Sequence, residues 1–360
     1  NDGSIPTTAA TADVIITGTV SSNYFGYAVV SGDFNADGKI DLVVGGFGYS
    51  SDTGRAYLFY NDGSIPTTAA SADVIITGET TSNRFGYSFA SGDFNADGKT
   101  DLAVGAYQYS TSTGRVYLYE TRDNFAWQLQ SVPSLTGGLR TNPSFSGQEL
   151  KVTGEVGTGK FGSILASGDW NADGKIDLAV GTPEYSTNTG RIYIFYNDGH
   201  LAAAAMNADV IITGEATNNY FGFSITAGDL NSDGRVDVVA GAYGYSTNVG
   251  RVYIFYNDGS IPTTAVTADV IITGETGSYA GNFLIPGDFN ADGKTDLAVG
   301  ASNYTTFTGR VYLFYNDGSI PTTAATADAI ITGETTNNYL GDSLVSGDFN
   351  ADGKIDLAVG

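Results

Sequence analysis

The sequence has no cysteine, a single histidine (His200) and only 8 prolines among its 360 residues. Without cysteine there is no disulfide framework and no thiol chemistry, although the compartment stays open. One histidine and no thiol also remove the usual bases and nucleophiles of an enzyme. His200 stands in an N-D-G-H turn where other copies have serine, which predicts a solvent-exposed ring. No apolar run approaches the roughly 18 residues that a membrane-spanning helix needs, so a soluble chain is expected. Positive charge is scarce: 16 Lys+Arg face 39 Asp+Glu, for a net charge of −23. That balance excludes nucleic acid, whose phosphates demand basic side chains. No signal peptide is visible; the chain starts inside a repeat, so any leader is expected upstream or already removed.

What the chain has instead is glycine (49), tyrosine (23) and phenylalanine (19), the mixture of many short strands joined by tight turns. Aligned on itself, the sequence repeats with a period near 60. An acidic loop begins at Asp33, Asp93, Asp169, Asp229, Asp288 and Asp348, with spacings of 60, 76, 60, 59 and 60. The long spacing marks an insertion: residues 121–155 replace a 19-residue stretch of the second repeat, with 16 extra residues. One repeat domain over 1–360 is expected, with units of about 1–60, 61–120, 121–196, 197–256, 257–315 and 316–360 and an insert at 121–149. In the second unit four runs read as strands: Phe85–Ser91, Asp101–Ala106, Arg115–Tyr119 and, from the stretch before them, Asp73–Thr77. The run Asp101–Ala106 is nearly all apolar, as in a strand buried on both faces. Arg115–Tyr119 alternates, which predicts a half-buried strand. N-D-G, D-G-K and S-T-G-R supply the turns between them. A sheet of four short strands cannot bury both faces alone, so copies must stack, and radial stacking gives an all-β propeller. An open β-solenoid is the other architecture that such repeats allow.

The acidic loops read D-x-N-x-D-G-x-x-D. Their first position is the aspartate of each start given above. Position 3 is Asn35, Asn95, Asn171, Asn231, Asn290 and Asn350, and position 5 is Asp37, Asp97, Asp173, Asp233, Asp292 and Asp352. Position 9 is Asp41, Asp101, Asp177, Asp237, Asp296 and Asp356. Position 7 (Lys39, Lys99, Lys175, Arg235, Lys294 and Lys354) can offer its backbone carbonyl while its side chain offsets charge from outside. Such spacing wraps hard oxygen donors around one cation, which suits Ca²⁺ better than the strictly octahedral Mg²⁺. With no Cys or His ligand, zinc and copper are disfavoured. The loop is not an EF-hand, because position 12 holds Val44 or Val104 where the bidentate Glu belongs, and strands flank it. Eighteen loop aspartates against six cations account for −12 of the net −23, so about six calcium ions would neutralise much of the acidic surface.

Phe-Gly at 25–26, 85–86, 161–162 and 221–222 precedes each of the first four loops. V-V-G-G (43–46), A-V-G-A (103–106), A-V-G-T-P (179–183) and V-A-G-A (239–242) follow them. With the loop, these motifs resemble FG-GAP repeats, found in the N-terminal propellers of integrin α-subunits and in many bacterial surface proteins. The resemblance covers the chain outside the 121–149 insert. Ala280-Gly281 and Leu340-Gly341 replace Phe-Gly in the last two copies, and only Gly181-Thr182-Pro183 keeps a proline. The resemblance implies a β-propeller with calcium in the hairpin between the first two strands of each blade. Family propellers are usually seven-bladed, so either six blades close from this span or it belongs to a seven-bladed or longer array. Asp13–Thr17 is expected as a fourth strand sharing a blade with the last two strands of the chain.

The leading functional expectation is a non-catalytic extracellular or cell-surface scaffold for adhesion to a protein or glycan. In the resembling family, partners dock opposite the calcium hairpins. There Tyr49, Tyr109, Tyr185, Tyr245 and Tyr304 recur, as candidate contacts or as packing between blades. The alternative is a structural subunit of a filament or array, binding further copies of itself by strand exchange, with the aromatic insert as docking element or rim cap. A propeller-based hydrolase or lyase is the third class. Asn303-Tyr304-Thr305 is the one glycosylation match, and I-P-T-T at 5–8, 65–68, 261–264 and 320–323 is an O-glycan candidate or a stiff connection.

Overall fold

The computed structural model describes residues 10, 12–121, 150–155, 157, 159–198 and 202–360. His200, the Ile5–Thr8 copy of I-P-T-T and all of the 121–149 insert except Thr121 lie outside the described residues. The rest is all-β and forms five four-stranded antiparallel sheets and one two-stranded sheet. The first is β1 (Val29–Gly32), β2 (Asp41–Gly46), β3 (Arg55–Phe59) and β4 (Val74–Thr77). The second is β5 (Ser88–Gly92), β6 (Asp101–Ala106), β7 (Arg115–Tyr119) and β8 (Leu150–Thr153). The third is β9 (Ile164–Gly168), β10 (Asp177–Thr182), β11 (Arg191–Phe195) and β12 (Val210–Thr213). The fourth is β13 (Ser224–Gly228), β14 (Asp237–Ala242), β15 (Arg251–Phe255) and β16 (Val270–Thr273). The fifth is β17 (Leu284–Gly287), β18 (Asp296–Ala301), β19 (Arg310–Phe314) and β20 (Ala329–Thr332). The sixth holds only β21 (Leu344–Gly347) and β22 (Asp356–Val359).

Successive sheets meet through their first strands, β1 against β5, β5 against β9, and so on to β21, as blades around an axis. Each four-stranded sheet takes its fourth strand from the start of the following sequence unit: Val74–Thr77 pairs with Arg55–Phe59, not with the strands after it. The expected fourth strand at Asp13–Thr17 is absent. Thr17 makes one parallel bridge, to Thr68, and the segment joins neither β21 nor β22. The second strands are buried along their length, as their composition predicts. The third strands are not half-buried: only the leading arginine is part-exposed, and the Tyr and Phe behind it are covered. Neighbouring sheets press on both faces, and the core is therefore a series of wedges between blades. One wedge joins Trp170, Ile192 and Phe221 to Val238 and Tyr253.

The sequence motifs meet at those wedges. Phe85, Phe161 and Phe221 are at most 1% exposed, and each rests edge-on against a tyrosine of the third strand in its own sheet (Tyr117, Tyr193 and Tyr253). Gly86, Gly162 and Gly222, and Gly281 and Gly341 of the Ala-Gly and Leu-Gly copies, each abut the glycine of the second strand in the preceding sheet. A Cβ on Gly105 would sit 2.1 Å from the Gly162 carbonyl oxygen, and one on Gly241 2.0 Å from that of Gly281. Only glycine lets two main chains approach this closely.

A single left-handed turn follows the second strand of each four-stranded sheet: Ser50–Asp52, Ser110–Ser112, Ser186–Asn188, Ser246–Asn248 and Thr305–Phe307 all have positive φ. Such geometry costs roughly 1–2 kcal/mol per non-glycine residue. The turn's carbonyls offset this by receiving amides from the lead-in to the next sheet: Ser82 N to Ser51 O at 3.0 Å and Arg84 N to Asp52 O at 2.7 Å.

Candidate functional site

The six acidic loops are the β1–β2-type hairpins and lie together at one end of the sheets. Each is pinned by its second residue, a buried Phe34, Phe94, Trp170 or Leu230 in the first four copies. The residue at position 4 (Ala36, for example, at φ 58) and the Gly at position 6 (Gly38, φ 82) both adopt left-handed geometry, folding the loop back on itself. A Cβ on Gly38 would meet nothing within 4 Å, so this glycine serves conformation and not close approach.

The sequence-predicted residues do come together, in two tiers. Asp33, Asn35 and Asp37 form the outer tier. Asp33 accepts from the amides of Asp37 (3.0 Å) and Gly38 (2.8 Å), and Asn35 Oδ1 accepts from Asp37 N at 3.0 Å. Lys39 contributes its amide, to Asp37 Oδ1 at 2.9 Å. All five later loops repeat the pattern, as in Asp173 N to Asp169 Oδ1 at 3.1 Å. The aspartate at position 9 forms the inner tier. Asp41, Asp101, Asp177, Asp237 and Asp296 are at most 2% exposed. Asp177 accepts Trp170 N and Asn197 N, both at 2.8 Å, so it ties the loop to the chain leaving the third strand. The position-7 cations brace the same junction: Lys175 Nζ and Lys294 Nζ donate to the Asn197 and Asn316 carbonyls at 3.1 and 3.0 Å.

Burial is the largest cause that pushes the inner carboxyls up. Repulsion from the outer aspartates adds to it, and the two amides oppose it. Asp101 rises to about 7, and Asp177 and Asp237 to about 6. Asp41 and Asp296 shift in the same direction. An oxygen-only donor set, with a carboxylate that is costly to keep charged, fits a hard divalent cation. As they stand, the oxygens are turned to loop amides, and among the described residues no three acidic or histidine side chains already converge as a cage.

At the opposite end of the sheets, Tyr49, Tyr109, Tyr185, Tyr245 and Tyr304 are half-buried. Each lies beneath the arginine six residues on, with Arg55 Cζ 3.4 Å from the Tyr49 ring centroid and Arg115 Cζ 3.6 Å from that of Tyr109. Asn303 is half-buried just before the fifth left-handed turn. The Pro-Thr-Thr segments bridge to the preceding fourth strand, as in Thr213 with Thr264, which is the connecting role.

That arginine is also part of a clamp between sheets which sequence reasoning missed. Arg251 pairs with Glu215 of the preceding connection at 2.8 Å, and Tyr253 Oη donates to the same carboxylate at 2.7 Å. Glu155–Arg191–Tyr193 and Glu275–Arg310–Tyr312 repeat it. A second missed feature is an aromatic band on this face. Tyr24 and Tyr27 are more than half exposed and pack on Phe47, and Tyr27 Oη lies 2.8 Å from Tyr87 Oη. Tyr220, Tyr243 and Tyr279 form a second stack. Their shared place beside each Phe-Gly or after each second strand was the available signal.

The family model described as FG-GAP repeat matches residues 85–119 and 280–314, and one described as FG-GAP-like repeat matches 169–240. The chain carries FG-GAP repeats. It is 29% identical over 249 residues to integrin alpha-5 of Xenopus laevis, covering 63% of this chain and 20% of that protein. It is also 31% identical over 251 residues to phosphatidylinositol-glycan-specific phospholipase D of Bos taurus, covering 64% and 28%. The human phospholipase D of that name aligns over 347 residues at 28% identity, covering 84% of this chain and 38% of the enzyme. The chain thus spans between 20% and 38% of the length of these three relatives, two of which are phospholipases. No helix among the described residues is long and apolar enough to cross a membrane.

Proposed function

We propose that this chain is a calcium-stiffened, non-catalytic extracellular scaffold that recognises a protein or glycan on the face opposite the acidic loops. The observation that carries the calcium reading is the buried position-9 aspartate. Five loops hold a carboxyl at most 2% exposed beside two further aspartates, an arrangement that a divalent cation relieves. Asp, Asn, Asp and Asp at positions 1, 3, 5 and 9, with the position-7 carbonyl, would hold the ion. Bound there, calcium would supply charge neutralisation and stiffness to the hairpins, not chemistry on a substrate.

Extracellular recognition follows the integrin relatives, and the aromatic band gives such a face exposed rings suited to contact. The non-catalytic reading rests on the missing thiols, the single histidine and the aspartates committed to the loops. The phospholipase relatives are longer than the array, so their chemistry need not reside in it.

Calorimetry of the chelated and calcium-restored protein tests the reading. Calcium at a hundred times its dissociation constant stabilises by about 2.7 kcal/mol per site, so chelation should lower Tm and calcium restore it. An unchanged Tm in EDTA would refute the calcium part of it.

A further inference from the structure

The repeats are near-copies, so a position where one departs from the rest is informative. The third sheet departs at a linked pair. Two residues before the Phe-Gly phenylalanine, three of the other connections carry a buried asparagine (Asn23, Asn83 and Asn219), and the third carries Gly159. At the end of the second strand the other complete sheets have Gly46, Ala106, Ala242 or Ala301, and the third has Thr182. The two changes touch: a Cβ on Gly159 would stand 2.8 Å from Thr182 Cγ2. Asparagine with a small residue has been exchanged for glycine with threonine.

Beside the exchange lies a cavity of about 280 Å³ where Thr113 of the second sheet faces the third, and its lining includes Glu155, Gly159, Thr182, Tyr185, Ser186 and Tyr193. Thr182 is 2% exposed, and among the described residues its Oγ1 has no hydrogen-bond partner. A buried hydroxyl without a partner is unfavourable, and a ligand hydroxyl would recover that loss. Glu155 Oε1 is engaged, by Arg191 at 2.9 Å and Tyr193 Oη at 3.0 Å; among the described residues Oε2 accepts nothing.

Charge narrows the ligand. Arg191 neutralises Glu155 and lies 3.8 Å over the Tyr185 ring, so neither the carboxylate nor that ring face is open to a cation. With the pair neutral, an anion finds no free counter-charge either. What fits is a neutral molecule with several hydroxyls, donating to Glu155 Oε2 and pairing with Thr182 Oγ1. The volume lies at the small end of ligand cavities, roughly 300–1,000 Å³, enough for one ring.

We propose that the cavity between the second and third sheets binds a single neutral sugar residue. This deepens the recognition reading above and rests on it.

The test is saturation-transfer NMR on the calcium-treated full chain with glucose, galactose, mannose and N-acetylglucosamine. The expected result is transfer to at least one of them. Gly159→Asn combined with Thr182→Ala restores the pair of the second and fourth sheets, so the fold is preserved and the cavity filled. It should abolish the transfer with an unchanged melting curve. Thr182→Ala alone, which removes only the hydroxyl, should weaken binding several-fold. No transfer from any of the four sugars, or equal transfer in the double variant, would overturn the proposal. Adhesion to a glycoprotein surface that survives the double variant would sink the sugar site and leave the recognition reading standing. A melting curve indifferent to EDTA would instead sink the calcium reading alone.

Discussion

Gly241→Ala should be among the most damaging single-methyl changes in this protein, although it introduces the smallest side chain available. The new Cβ would fall 2.0 Å from the Gly281 carbonyl oxygen and 2.3 Å from Ser224 Oγ, so backbone as well as side chain must give. Relief requires the fourth and fifth sheets to part by at least about 1 Å, and a gap of that size forfeits a quarter to a half of each contact it opens. The same movement loosens the Ser224 Oγ to Gly281 O bond, 2.6 Å long and buried. Overpacking typically costs 1–3 kcal/mol and the hydrogen bond about 1, so a loss of about 2–4 kcal/mol is expected. Gly234→Ala is the control. Gly234 has φ 85, and a methyl added there would meet nothing within 4 Å, so only its conformation resists, at about 1 kcal/mol. Urea denaturation of both variants in chelator gives the two costs, and amide exchange should show protection lost first across β14 and β17. Equal costs would refute the view that glycine-to-glycine approach sets the distance between sheets.

Three other outcomes follow from the site geometry. In chelator, acidification from pH 7.5 to 5 should stabilise the fold, because a carboxyl with a raised folded pKa favours the folded state more as pH falls through that value. Asp177 and Asp237, each at about 6, would gain about 1.4 kcal/mol apiece over that range. Calcium should reverse the trend and release protons on binding near pH 6; a pH-stat that records no release would refute this. Glu215→Gln leaves the half-buried Arg251 without its carboxylate and should cost about 1–3 kcal/mol in urea denaturation; a loss below a few tenths would make the clamp incidental. Phe221→Ala, emptying a 0%-exposed site between the third and fourth sheets, should cost about 3–5 kcal/mol by the same assay.

Much of this architecture was legible because its motifs are constraints on the main chain. Phe-Gly and the second-strand glycine recur since each pair marks one contact between sheets, and the six loops keep their donors since each hairpin folds on the same amides. The partition of strands was not legible. A period of 60 looks the same wherever it is cut, and only pairing shows that Val74–Thr77 belongs with Arg55–Phe59. The third strands misled because alternation of Val and Tyr looks half-buried, whereas a neighbouring sheet covers the second face. The five tyrosines read as candidate contacts or as packing between blades lie under arginines. Their constant six-residue offset, from Tyr49–Arg55 to Tyr304–Arg310, carried that information.

The left-handed turns bear on how such an array arises. They hold the next unit by main-chain carbonyls, and their own side chains differ from copy to copy: Ser-Ser-Asp at 50–52, Ser-Thr-Asn at 186–188, Thr-Thr-Phe at 305–307. The main-chain part of the joint is common to all copies, and Asp52–Arg84, Asn188–Tyr220 and Phe307–Tyr339 add side-chain contacts particular to each. Recombination between copies would therefore change the number of units and keep the main-chain part of every junction. Each copy stays free to diverge at its own rim, as the third has at Gly159 and Thr182.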